Sequence, residues 1–191
     1  NRARILSANG VQDLSIPIIR PNGKQTSMID TKLSTEEDWV KVHQRSIMSA
    51  YIKAPYYDYY ANDILEIMAL KHASLFSLNV ALLEYLVRAC RLDIQIKTVH
   101  AAEITNKTQL CAAIHPKSVE KINFMQYKQT FNDRFAFTPN LSIIDLLFNE
   151  GPNTLAVLTA CIFLQKLLRE RLSCLTESIL LLMILGQVVL I

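Results

Sequence analysis

Trp39 and His43 lie four residues apart, so on a helix their rings would meet. Such a histidine can serve as a base or a substrate donor beside an aromatic platform. Periodicity alone favours a half-buried histidine satisfied by a neighbour. Tyr51, Tyr56, Tyr57, Tyr59 and Tyr60 fall within ten residues. Each offers a flat face and a polar tip, suited to sugars, nucleotides or peptide groups, or to packing at a helix joint. Ser142 and Asp145 stand three apart at an expected helix start. With His43 they contain the atoms of a triad, but no G-x-S-x-G elbow accompanies them, and capping is the stronger reading.

Other chemistries find little support. The four histidines, His43, His72, His100 and His115, show no H-x-x-x-H or H-E-x-x-H spacing, so no metal site is expected. Four glycines form no phosphate loop or dinucleotide fingerprint, and no cofactor is expected. Phosphates, if bound, would meet arginines around residues 2–20, Arg4 among them, although a solvated face is the default. A net charge of +3 with interspersed signs argues against nucleic acid. Cys90, Cys111, Cys161 and Cys174 are widely spaced and read as reduced, in a cytoplasmic setting. No signal peptide is visible. The chain opens on Asn1 without an initiator Met, so a preceding segment is expected.

The elements that position these residues read as α+β. Asn9-Gly10 between apolar runs signals a hairpin with positive φ at both central turn residues. Pro17 ends its second strand or marks an edge. Ser27–Leu33 suits a third strand. Ser34 or Thr35 should cap a helix that presents Trp39, His43, Ile47 and Ala50 or Tyr51 on one face and is ended by Pro55. A second helix follows through Ile64, Leu65, Ile67 and Met68. A third spans Ser74–Leu92, with Leu75, Leu78, Leu82, Leu86 and Val87 at helical spacing. Asp93–Val99 alternates like a strand, and Thr105–Ala113 reads as helix up to His115-Pro116. Residues 117–136 look largely irregular, anchored by Tyr127, Phe131, Phe135 and Phe137.

Pro139–Pro152 carries the clearest punctuation. Asn140 or Ser142 should cap a two-turn apolar helix through Ile143, Leu146 and Leu147, and Gly151-Pro152 should stop it. An apolar helical tail follows. Ser178–Ile191 carries no charge, and its fourteen residues would span about 21 Å, short of the roughly 30 Å of a hydrocarbon core. A core helix or a tail needing a partner surface fits better than a membrane span.

Three blocks coincide in order: Asn1–Ile5 with Asn9-Gly10 and Leu14–Pro17; Trp39, His43, Arg45–Ile47, Ala50-Tyr51, Pro55–Tyr57 and Tyr60; and Pro139–Pro152 with Tyr127, Gln129 and Phe131 upstream. Together they resemble the WbqC-like protein family of bacteria over about residues 1–157. The family's further N-terminal stretch is absent here, and Gln109-Leu110-Cys111 stands where members often carry an Asp-Leu-Arg-like element. Residues 158–191 resemble nothing in the family and are expected to be a lineage extension or a misread gene end. The resemblance implies a role in O-antigen or other surface-polysaccharide assembly, with transfer of an amino acid, glycine, to a sugar suggested. It implies no established catalytic residue.

The reading is therefore an α+β protein with an N-terminal hairpin and small sheet, several helices and a helical tail. Its expected activity is an aminoacyl- or acyl-type transfer to an activated or nucleotide-linked sugar; a non-catalytic accessory or scaffold module of a glycan-assembly complex is the alternative. His43 is the expected base and Asp145 its partner. Trp39, Tyr51, Tyr56, Tyr57, Asn140, Ser142, Asn149 and Arg4 are expected to contact substrate. Residues 173–191 are expected to contact a membrane surface or partner, leaving the protein cytoplasmic or membrane-associated.

Overall fold

The computed structural model describes residues 1–36, 38–98 and 124–168. Arg2–Ser7 (β1) and Gly10–Ser15 (β2) form the expected hairpin, in register from Arg2 opposite Ser15 to Ser7 opposite Gly10. Alternation turns Ala3, Ile5, Leu14 and Ile16 to the core and Arg2, Arg4, Asp13 and Ser15 outward. The turn differs from expectation: Ala8 and Asn9 span it, and Gly10 alone of the two named residues takes positive φ, 101°. The Ser7 hydroxyl donates to the Gly10 carbonyl and accepts from the Asn9 N–H, which fastens the loop.

The third strand shrinks to Lys32–Leu33 (β4), paired antiparallel with Ile18–Ile19 (β3). Residues 28–30 turn instead. The Ser27 hydroxyl donates to the Asp30 carboxylate at 2.7 Å, and Thr31 bonds back to the Ser27 carbonyl. Such short polar side chains compete with a strand ladder.

Trp39–Tyr51 (α1) buries the expected face. Its cap is Asp38, which accepts from the Lys41 N–H, rather than Ser34 or Thr35; Glu37 lies outside the described residues. The helix closes at Tyr51, ahead of Pro55. Tyr57–Ala69 (α2) buries Tyr57, Ala61, Ile64 and Met68. Leu75–Ala89 (α3) starts on a reciprocal Ser74/Ser77 capping box and buries the expected leucines. Residues 92–98 form no strand; Ile94 and Ile96 satisfy their alternation by packing on the core without a ladder partner. Val99 and 100–123, including the expected helix Thr105–Ala113 and His115-Pro116, lie outside the described residues. Residues 124–139 are irregular, as expected.

Ile143–Glu150 (α4) is the centre of the fold. Every residue from Ile143 to Asn149 is buried, so this short helix has no solvent face. Ser142 holds the cap position, but its side chain makes no capping bond to the helix start. Its N–H donates to the Arg4 carbonyl of β1 at 2.7 Å. At the other end the Tyr56 N–H donates to the Phe148 carbonyl at 2.9 Å, and the Tyr51 and Tyr57 rings pack on Phe148. Gly151, at positive φ, stops the helix at Glu150 as expected, and Pro152 follows it. Pro152 sits in one tight turn, Gly151–Asn153, and Thr154–Leu168 (α5) follows at once. Proline's missing N–H costs nothing in a first turn. α5 brings Leu158 and Cys161 into the core. The rest of the tail, with Ser178–Ile191, lies outside the described residues. No helix among the described residues is long and apolar enough to cross a membrane.

Gly151 is required twice. Its φ is +52°, and a Cβ there would come within 2.5 Å of the Tyr56 ring. Gly151→Ala should therefore lower unfolding free energy by about 1–3 kcal/mol, read as a drop in urea midpoint.

Candidate functional site

Asp145, in the first turn of α4, is fully buried at 0% exposure. Three donors converge on it. The Tyr51 hydroxyl donates to Oδ1 at 2.8 Å, the Tyr127 hydroxyl to Oδ2 at 2.7 Å, and the Gln129 amide to Oδ2 at 3.4 Å. Burial pushes the carboxyl above its ordinary value of 3.8, and the three bonds oppose that rise. Burial likewise holds both phenols well above 10, with the Asp145 charge adding to it, so both stay protonated and donate.

The partners are themselves anchored. The Tyr51 hydroxyl accepts from the Leu6 N–H of β1 at 3.3 Å. Gln129 clamps Thr138 through both amide atoms, each at 2.9 Å. Asn149 donates to the Asp145 carbonyl at 2.7 Å and accepts from Thr130. The Tyr127 ring packs edge-on against Phe137. A strap of irregular chain is thus fastened to α4 through polar side chains.

His43 occupies a different place. Its ring lies 5.3 Å from that of Trp39, in the edge-on contact expected from their spacing. It is 3% exposed, and its Nδ1 is buried with no hydrogen-bond partner among the described residues. Burial lowers its pKa below 6.5, and a hydrogen bond to the Ser15 backbone opposes that shift. The imidazole is therefore neutral at neutral pH. Eight helical residues, about 12 Å of axis, separate it from Tyr51. Among the described residues Asp145 bonds Tyr51, Tyr127 and Gln129 and not His43, so the expected His43–Asp145 pair is not hydrogen-bonded.

The remaining candidates divide. Tyr56 covers Gly151 and meets Tyr59 at 6.1 Å, and Tyr57 is buried on Phe148. Asn140 takes positive φ, 59°, and with Tyr127, Ser142 and Cys161 it lines a cavity of about 40 Å³, room for a few waters. Asn149 serves the clasp. Arg4 pairs with Asp13 across the hairpin on the exposed face. Tyr127 entered the sequence reading as an apolar anchor and, with Gln129, as a neighbour of the third block. Their role in sequestering Asp145 depends on a long-range contact that local spacing does not carry.

This architecture ties the hairpin, the Trp39–Tyr57 region and Pro139–Pro152 together through one buried carboxylate. The model of the WbqC-like protein family matches residues 1–119 and 114–157. The chain belongs to the WbqC-like protein family. Comparison with curated proteins and with solved structures finds no match. The WbqC-like region contains every member of the clasp and His43 with its Trp39 neighbour. Membership supports a polysaccharide-related function.

Asp145→Ala would strip Tyr51 and Tyr127 of their acceptor and should cost about 3–5 kcal/mol in chemical denaturation. Asp145→Asn should cost less, about 1–3 kcal/mol, because its amide sets one donor against donors. Its raised pKa makes the Asp145 titration favour the fold fully below pH 3.8, and that contribution is lost as pH rises through the raised value. Unfolding measured across that range should show this slope in the native chain and lack it in Asp145→Asn.

Proposed function

We propose that this protein is a transferase of surface-polysaccharide assembly, moving an amino acid such as glycine, or a similar acyl group, onto a sugar. The donor is activated, and the acceptor sugar is nucleotide- or lipid-linked. The observation that carries the reading is the neutral His43 imidazole, whose Nδ1 has no partner among the described residues. A buried acceptor without a partner costs about 1–3 kcal/mol. Use of the lone pair in chemistry is one way such a cost is offset.

In this reading Nδ1 takes the proton from the acceptor's hydroxyl or amine. The acyl bond to that oxygen or nitrogen forms, the bond to the donor's leaving group breaks, and the proton leaves with that group. Trp39, edge-on against the ring, must shift to admit the acceptor. Asp145 is a positioning residue: it acts through Tyr51, on the same helix that carries His43.

A second reading is favoured by the complete burial of Asp145 and Tyr51, which resembles an ordinary structural anchor. There the protein is a non-catalytic accessory module of a glycan-assembly complex, docking a partner or membrane surface through residues 173–191.

Complementation of a deletion strain separates the two, with the surface polysaccharide analysed by mass. The transferase reading expects His43→Ala to leave one substituent missing while truncation after Leu168 restores it. The accessory reading expects the reverse. Transfer by the purified protein should also persist below pH 6.5 and fall only as pH drops through the lowered His43 value, because protonation there removes the base.

A further inference from the structure

A second concave feature lies away from the clasp. The outer faces of α2 and α3 enclose an open groove of about 620 Å³. Tyr59, Tyr60, Asp63 and Glu66 line it from α2, at the three- and four-residue spacing that shares a helix face, and Tyr85 and Arg88 line it from α3. The volume falls within the range of small-ligand sites.

The lining has a definite chemistry. Tyr59 is 76% exposed, an unusual position for a large aromatic that contributes little to the core. Its ring is braced by Tyr56, which is itself seated on Gly151, so the platform is held from behind. The Tyr85 hydroxyl, which donates to the Tyr60 carbonyl at 3.3 Å, also engages the Asp63 carboxylate, and this fixes the opposite wall and leaves the second Asp63 oxygen for a ligand. Two carboxylates and one guanidinium line the groove, so its lining is net acidic, with the Arg91 guanidinium acting on Tyr60 from outside that lining. Phosphate-bearing ligands would meet repulsion there, whereas hydroxyls and an ammonium group would find acceptors. Aromatic faces add stacking against a pyranose ring and attraction for a cation.

We infer that the α2–α3 groove is a saccharide subsite that takes an amino sugar, with Tyr59 as the stacking platform and Asp63 and Glu66 as acceptors for its hydroxyl and ammonium protons. The choice of a sugar rests on the transferase reading, but binding to the groove is measurable without transfer.

The test is titration of the full chain with D-glucosamine, N-acetyl-D-glucosamine and glucose 6-phosphate, followed by calorimetry and by chemical shifts of α2 and α3 amides. Glucosamine should bind most tightly and shift residues around Tyr59, Asp63 and Arg88, and the phosphate should bind most weakly. Tyr59→Ala and Asp63→Asn sit on the surface and should keep the native thermal transition while weakening glucosamine about tenfold each. No binding by any of the three sugars, tightest binding by the phosphate, or glucosamine binding unchanged in both variants would overturn the inference. In each of those cases the polysaccharide complementation result still decides the transferase reading on its own.

Discussion

The contact on which the structure depends is the acceptance of three hydrogen bonds by one sealed carboxylate. Removing a carboxyl from water is costly, and the cost is offset where its acceptor positions are filled. Asp145 fills them from segments far apart in sequence. Tyr51 comes from the end of α1, and Tyr127 and Gln129 come from the irregular strap before α4. Tyr51 also bridges to the Leu6 N–H, so the same network reaches the hairpin. An irregular strap has no ladder or helix to satisfy its backbone, and the Gln129–Thr138 clamp supplies part of what is missing.

Why α4 can be so short follows from this. Eight residues make a marginal helix alone, and burial on all sides supplies the stability that length does not. Its ends are met by backbone from other elements: the Arg4 carbonyl lies at the start and the Tyr56 N–H near the finish. Gly151 then lets the chain turn under the Tyr56 ring and re-enter a helix within three residues.

Periodicity made the helices legible. The inward faces of α1, α2 and α3 are those their apolar spacing implies, and Trp39 meets His43 as four-residue spacing requires. The ends of α4 fall where Ser142 and Gly151-Pro152 imply, but the expected side-chain cap at Ser142 is not made, because tertiary contacts supply what a local capping rule assigns to the side chain. Ser27–Leu33 and Asp93–Val99 alternate like strands, but alternation does not create a neighbouring edge to pair with. The site was legible by residue type and not by partner. Asp145 was singled out, yet its true neighbours, Tyr127 and Gln129, lie 18 and 16 residues before it in chain with no regular period.

The account divides labour between two ionisable groups on one scaffold. Asp145 is locked and holds the fold, while His43 keeps Nδ1 without a partner among the described residues. The most direct test is a pH titration of the His43 ring nitrogens by long-range ¹H–¹⁵N NMR of the folded protein. The account predicts a neutral, single-tautomer ring at pH 7 with its midpoint below 6.5. A ring protonated at pH 7, or a midpoint at or above 6.5, would contradict it.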